Sequence, residues 1–143
     1  MTDPPRRPVT PRERIEASCA LVGQDAVVDA CLALLSGSED LELVRLVANQ
    51  GADKYADGRV HEDTYWFRVW AMRGLLWAWD PRATAAVRAG FADEAWRVRE
   101  LAAKVVARHG VEEAFAEVVA ARGDPVPRVR AAAERALTVV ARG

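Results

Sequence analysis

One acidic loop and one flank of three predicted helices hold most of the side chains that could do chemistry. The loop brings four carboxylates and a histidine together: Asp53, Asp57, His61, Glu62 and Asp63. Carboxylates with a histidine can bind a divalent cation, but this spacing fits neither an EF-hand nor a zinc site. We therefore expect a solvated acidic loop, with no metal site and no cofactor.

Catalytic residues are not apparent elsewhere in the chain. It has only two histidines and two cysteines, and neither a Cys/His nor a Ser/His/Asp arrangement can be assembled from them. Cys19 and Cys31 lie in separate predicted helices without CxxC spacing, which is typical of reduced structural cysteines in a cytosolic protein. The sequence therefore predicts a protein that is not an enzyme.

The flank of the three helices, which we call the basic ridge, combines cations with tryptophans. Its members are Trp66, Arg73, Trp77, Arg97, Lys104, Arg108, Arg128 and Arg135. Spacings of seven and four residues place those of one helix on one flank. Such a ridge could hold an acidic protein segment or a phosphate backbone. The alternative is a solvated face, with cations balanced by glutamates such as Glu100 and Glu134.

Composition favours one globular domain and gives no general attraction to nucleic acid. The chain has 143 residues, 51% of them hydrophobic and 29% charged, with a formal net charge of −1. The charges are uneven, since residues 1–63 carry 7 basic and 12 acidic side chains and residues 64–143 carry 13 and 9. The basic bias of the second part is weaker than that of a typical DNA-binding domain, so nucleic acid is not the expected partner.

Sequence patterns at the start of the chain predict a tail and no membrane segment. Residues 1–10 are polar and proline-rich and lack an apolar stretch, so we expect a disordered tail rather than a signal peptide. No apolar run approaches the roughly 20 residues that a transmembrane helix needs. A cytoplasmic location without membrane association is expected.

A repeated pattern indicates the architecture. An acidic residue is followed by arginine six positions later and alanine three positions after that, in four copies: Glu39/Arg45/Ala48, Glu62/Arg68/Ala71, Asp93/Arg99/Ala102 and Asp124/Arg130/Ala133. The last three arginines are spaced 31 residues apart. A fixed period near 30 residues is typical of stacked helical repeats.

Capping residues and apolar spacing predict an all-α chain of about eight helices. We expect Asp25 to cap the second helix, Ser38 the third and Asp93 the sixth. The expected helices are 11–22, 26–35, 39–50, 64–79, 81–90, 94–109, 111–122 and 126–141.

The fourth predicted helix is apolar on two faces. Its second face carries Val69, Met72, Leu76 and Trp79. A helix that is apolar nearly all round is buried on both sides, so the preferred expectation is that the first three helices pack against this face. The alternative is an exposed patch that recruits a partner or a second copy of the chain, which would form a homodimer.

Two segments, 93–103 (DEAWRVRELAA) and 124–133 (DPVPRVRAAA), resemble the short HEAT-like repeat found in phycobiliprotein-lyase relatives, which reads roughly D-x-x-x-x-V-R-x-x-A-A. The resemblance is closest over residues 62–143 and looser over 11–61. It implies a single domain over 11–143, a right-handed α-solenoid of antiparallel helix pairs that holds other macromolecules. It also implies that Asp93, Asp124, Arg68, Arg99 and Arg130 link neighbouring repeats.

These observations lead to one preferred function and two alternatives. The preferred function is a non-catalytic module that binds a protein partner. An acidic segment of that partner would lie on the surface of the fourth, sixth and eighth helices. Some DNA glycosylases are built from HEAT-like repeats and use tryptophan, aspartate and arginine, types that Trp77, Trp79, Asp80 and Arg73 supply here. A lyase-type accessory subunit is a further alternative that rests on the resemblance alone.

Overall fold

The computed structural model describes residues 8–48 and 50–142. In this part of the chain the fold is all-α, as the sequence predicts. This part of the chain contains no β-strand. Its α-helices are α1 Pro11–Val22, α2 Gln24–Leu35, α3 Leu41–Val47, α4 Tyr65–Gly74, α5 Thr84–Gly90, α6 Trp96–His109, α7 Phe115–Ala121 and α8 Pro127–Val140. Short 3-10 helices occupy Gln50–Tyr55, Pro81–Ala83 and Glu112–Ala114. Most of the expected tail, residues 1–7, lies outside the described residues.

Local signals account for the helix ends that the sequence predicts well. The Thr10 side chain accepts the Glu13 N–H, and Glu13 reaches back to the Thr10 backbone, so α1 begins with a complete capping box. At the other end of the chain, Pro127 occupies the first turn of α8. Gly110 ends α6 in the left-handed region at φ +63°, where glycine has no side-chain penalty.

The predicted third helix is too long, and its predicted cap is wrong. The helix is α3, and the Asp40 side chain caps it by accepting the Glu42 N–H at 3.0 Å. Ser38 instead accepts the Asp40 N–H. The helix ends because Ala48 is extended, at φ −117° and ψ 156°, and its side chain is buried in the core.

The predicted fourth helix also ends earlier than expected, at Gly74. Beyond it the backbone tightens, with the Leu76 N–H bonded to the Arg73 carbonyl and the Trp77 N–H to that of Gly74. Glycine weakens a helix interior, but a methyl group at this position would lie 3.0 Å from the Cys31 sulfur. Close packing of α4 on α2 therefore favours glycine at position 74.

The helices pack around one large core, and a second, smaller cluster of Ala121, Val129 and Ala133 lies where α7 meets α8. α6 lies between α4 and α8, while α5 packs on α6 and α7 packs on α8. On its other side α4 contacts α1, α2 and α3. Val69 is 4% exposed and Met72 is fully buried, so these two side chains are not available to a second copy of the chain. Leu76 and Trp79 are partly buried against the same core.

Candidate functional site

Two arginine–aspartate pairs with matching geometry connect α4 to the turn before α6 and α6 to the turn before α8. Arg68 Nε lies 2.8 Å from Asp93 Oδ2, and its Nη2 lies 3.2 Å from Oδ1. Arg99 binds Asp124 in the same two-pronged way, at 2.8 and 3.3 Å. Arg130 donates to the Asp124 and Pro125 carbonyls. All five residues predicted to link repeats therefore make contacts within the fold.

Both aspartates also order the turn that precedes a helix. Asp93 accepts the Ala95 N–H at 2.8 Å and Asp124 accepts the Val126 N–H at 2.9 Å. The prediction that Asp93 caps α6 is therefore wrong. Ala95 is the N-cap residue of α6 and makes no side-chain hydrogen bond there. Asp25 does not cap α2 either, since α2 begins after Gly23 and Asp25 contacts Arg82 instead.

The first copy of the repeated pattern makes no such link. Arg45 pairs with Glu42 on its own helix at 3.2 Å, and both side chains are largely exposed. An exposed pair of this kind contributes little to stability. The pattern alone could not reveal this difference, because it depends on which loop lies opposite the arginine.

One end of the basic ridge is a stack of cations and indoles. The Arg97 guanidinium carbon lies 5.1 Å from the Trp66 ring centroid and 4.5 Å from that of Trp96. Arg128 lies 5.1 Å from the Trp96 ring. Cations over indole rings are attracted by the ring quadrupole. Trp96 was missing from the predicted site, although its position 31 residues after Tyr65 could have indicated it.

Arg128 also neutralises a buried carboxylate. Glu100 is 6% exposed, and Arg128 binds both of its oxygens at 2.8 and 3.1 Å. Lys104 approaches the same carboxylate at 3.6 Å. A buried charge requires such partners, so Arg128 has a structural task in addition to any role in binding.

The other end of the ridge is an open groove of about 440 Å³ across the turn after α4 and helices α6 and α8, which we call the basic groove. It is lined by Leu76, Trp77, Lys104, Ala107, Arg108, Ala132 and Arg135. Four residues of the predicted ridge therefore meet here on an apolar floor. Arg108 and Arg135 are exposed, and neither forms an ion pair with a carboxylate in the described part of the chain.

Arg73 behaves differently from the other cations of the ridge. It is not part of the groove lining and its side chain is only partly exposed. Burial lowers the pKa of its guanidinium, because desolvation disfavours the charged form. Within residues 8–48 and 50–142 no carboxylate pairs with it.

The acidic loop is tied together by its own side chains. Lys54 Nζ lies 2.6 Å from Asp63, and His61 Nε2 lies 2.9 Å from Asp57. Hydrogen bonds from the Arg59 N–H and from His61 lower the pKa of Asp57. Among the described residues no group of three or more His, Cys, Asp or Glu side chains could hold a metal ion.

Two of the four residues that supply the types used by DNA glycosylases, Trp79 and Asp80, make contacts within the fold. Asp80 accepts the Arg82 N–H at 2.9 Å and caps the 3-10 turn before α5. Trp79 stacks on the His109 ring with centroids 4.5 Å apart and planes inclined by 10°.

Comparison with known proteins adds no further assignment. Neither a protein family, nor a characterised protein, nor a solved structure matches this chain.

No single helix in the described ranges is long and apolar enough to cross a membrane. Only α1 and α2 together, bent by 119° at their junction, reach the length and composition of a span.

Proposed function

We propose that this protein is a non-catalytic interaction module whose basic groove binds an acidic segment of a protein partner. The observation that carries the proposal is the combination of open cations and an apolar floor. Arg108 and Arg135 present guanidinium groups without a carboxylate partner in the described residues, beside the Leu76 and Ala107 side chains. Guanidinium groups bind carboxylates with well-defined geometry.

The proposal includes a HEAT-like right-handed array of helix pairs. Its support is the 31-residue spacing of the arginines, the contacts of α6 with both α4 and α8, and the equivalent Arg68–Asp93 and Arg99–Asp124 pairs. In such an array α4, α6 and α8 occupy equivalent places. Their shared surface is then the one that the basic groove crosses.

A protein segment suits the groove better than a nucleic acid does. A phosphate backbone is bound mainly by many cations along its path, whereas the groove has Lys104, Arg108 and Arg135, and the whole chain has a net charge of −1. The apolar floor offers burial to aliphatic side chains, which a phosphate backbone lacks. An acidic segment with interspersed apolar residues uses both features.

Fluorescence anisotropy tests this with a fluorescein-labelled peptide of alternating glutamate and leucine. The Arg108→Glu/Arg135→Glu variant should bind it at least about tenfold more weakly than the wild type, which corresponds to about 1.4 kcal/mol. Thermal stability should hardly change because both side chains are exposed. Arg59→Glu/Arg142→Glu is the matched control, since it makes the same charge change at exposed positions outside the groove.

Equal losses in both double variants would show that net charge, rather than the groove, controls binding. A fluorescein-labelled single-stranded oligonucleotide provides the second arm. Salt-dependent binding of the oligonucleotide, with no binding of the peptide, would support the DNA-binding alternative instead.

A further inference from the structure

A second pocket of about 360 Å³ lies beside the start of α6. Its walls are formed by Tyr65, Arg68, Glu94, Ala95, Trp96 and Arg97. It shares no lining residue with the basic groove. The two sites are therefore separate features of the surface that α4 and α6 form.

The charges of this pocket nearly cancel. Arg68 is already neutralised by its two hydrogen bonds to Asp93. The remaining charges are those of Arg97 and the exposed Glu94, which have opposite sign. A simple anion would therefore gain little here, in contrast to the basic groove.

Aromatic surface is what the pocket offers most. Tyr65 stacks on Trp66 with centroids 5.3 Å apart, and Trp96 is held in place by Arg97 and Arg128. The Arg97 guanidinium lies over the Trp66 and Trp96 rings, and no carboxylate of the described residues pairs with it. Ordered aromatic walls beside a stacked guanidinium favour an aromatic side chain as occupant.

The distance between the two sites limits how a single partner could fill both. Arg97, Lys104 and Arg108 lie on one flank of α6, and a rise of about 1.5 Å per residue separates Arg97 from the other two by about 10 and 16 Å. An extended segment covers about 3.3 Å per residue. Three to five residues therefore bridge the pocket and the groove.

We propose that the pocket lined by Tyr65, Trp96 and Arg97 binds an aromatic side chain of the acidic partner, three to five residues from the carboxylates held in the basic groove. This inference rests on the proposed function and adds a specificity element to it. The partner motif is then bipartite, with the aromatic residue selecting among acidic segments and the acidic cluster supplying electrostatic attraction.

The test compares two fluorescein-labelled peptides that share a glutamate-rich half and differ at one position four residues from it, phenylalanine in one and alanine in the other. The wild type should bind the phenylalanine peptide about tenfold more tightly. Ala95→Leu fills the pocket from its wall and should reduce this ratio to about one while the alanine peptide still binds. Arg97→Gln should reduce the ratio at least threefold.

Thermal unfolding of both variants identifies any loss of folding, and Arg97→Gln remains informative if Ala95→Leu does not fold. A wild-type ratio near one with both peptides bound would overturn the aromatic site and leave the groove intact. An unchanged ratio in both folded variants would do the same. If neither peptide binds the wild type, the basic groove proposal fails and this inference fails with it.

Discussion

At the residue scale, Arg99 shows how one guanidinium can join two helix pairs. Its Nε and Nη2 bind Asp124, while Nη1 reaches the Asp93 and Glu94 carbonyls at 2.8 and 3.1 Å. The Arg99 side chain is 16% exposed and that of Asp124 is 9% exposed. Both side chains are thus largely shielded from solvent, and removing one partner leaves the other buried without its opposite charge.

We predict that Asp124→Asn lowers the free energy of unfolding by about 1–3 kcal/mol at pH 7, because Arg99 loses a charged acceptor. Urea denaturation measures this change. Asp53→Asn is the matched control, since Asp53 is exposed, and it should change stability by less than about 0.5 kcal/mol. Equal effects of the two substitutions would contradict a structural role for the shielded pair.

The same variant has a defined pH dependence. Burial by itself would raise the pKa of Asp124, but hydrogen bonds from Arg99 and the Val126 N–H, with the charges of Arg99 and Arg130, lower it below 3.8. A carboxylate whose pKa is lowered on folding stabilises the protein above its unfolded pKa and loses that contribution as pH falls through the folded value. The difference between wild type and Asp124→Asn should therefore shrink between pH 5 and 3, and a constant difference would contradict this.

At the element scale, the contact of α6 with α8 depends on a buried charge. Glu100 has Arg128 and Lys104 as cationic partners, although Arg128 itself is 65% exposed. Solvent around Arg128 screens the pair, so its coupling is smaller than that of a fully buried pair. Arg128 also lies over the Trp96 ring, which gives it a second contact within the fold.

A double-mutant cycle with Glu100→Ala and Arg128→Ala measures that coupling. We expect about 1 kcal/mol between the two positions in the free energy of unfolding. Arg135→Ala, which removes an exposed arginine of the same helix, should show no coupling to Glu100→Ala. Absence of coupling between Glu100 and Arg128 would mean that Arg128 does not stabilise the fold through this pair and serves only in binding.

The helix elements could be predicted from the sequence where their signals are local. The capping box at Thr10 and the left-handed Gly110 are readable from a few neighbouring residues. The preference for glycine at position 74, where α4 ends, is not readable in this way, because it comes from the close approach of Cys31 on another helix. The early end of α3 at Ala48 is likewise not predicted by local signals, because it accompanies burial of the Ala48 side chain in the core.

The candidate site also combines features that the sequence predicts with features that it does not. Helical spacing placed Lys104 and Arg108 on one flank, and the structure brings both to the groove with Trp77 and Arg135. The Arg128–Glu100 pair and the contacts of Arg97 with the Trp66 and Trp96 rings depend on side-chain conformation across neighbouring helices. A single sequence does not specify those conformations.

At the scale of the whole molecule, the acidic side chains of the loop and the basic side chains of the groove differ in whether they have ion-pair partners. Acidic side chains of the loop before α4 are engaged by Lys54 and His61. Within the described residues, Arg108 and Arg135 of the basic groove have no carboxylate partner, whereas Lys104 pairs with Glu100 at 3.6 Å. The proposed function rests on these two unpaired arginines beside an apolar floor.

Amide chemical shifts of the isotope-labelled protein, followed by NMR during titration with the glutamate–leucine peptide at low salt, test that claim most directly. We predict saturable shifts confined mainly to residues 76–77, 104–108 and 132–135, with smaller shifts as ionic strength rises because exposed charges are screened. Shifts centred on the loop at 53–63, or no shifts at peptide saturation, would contradict the account.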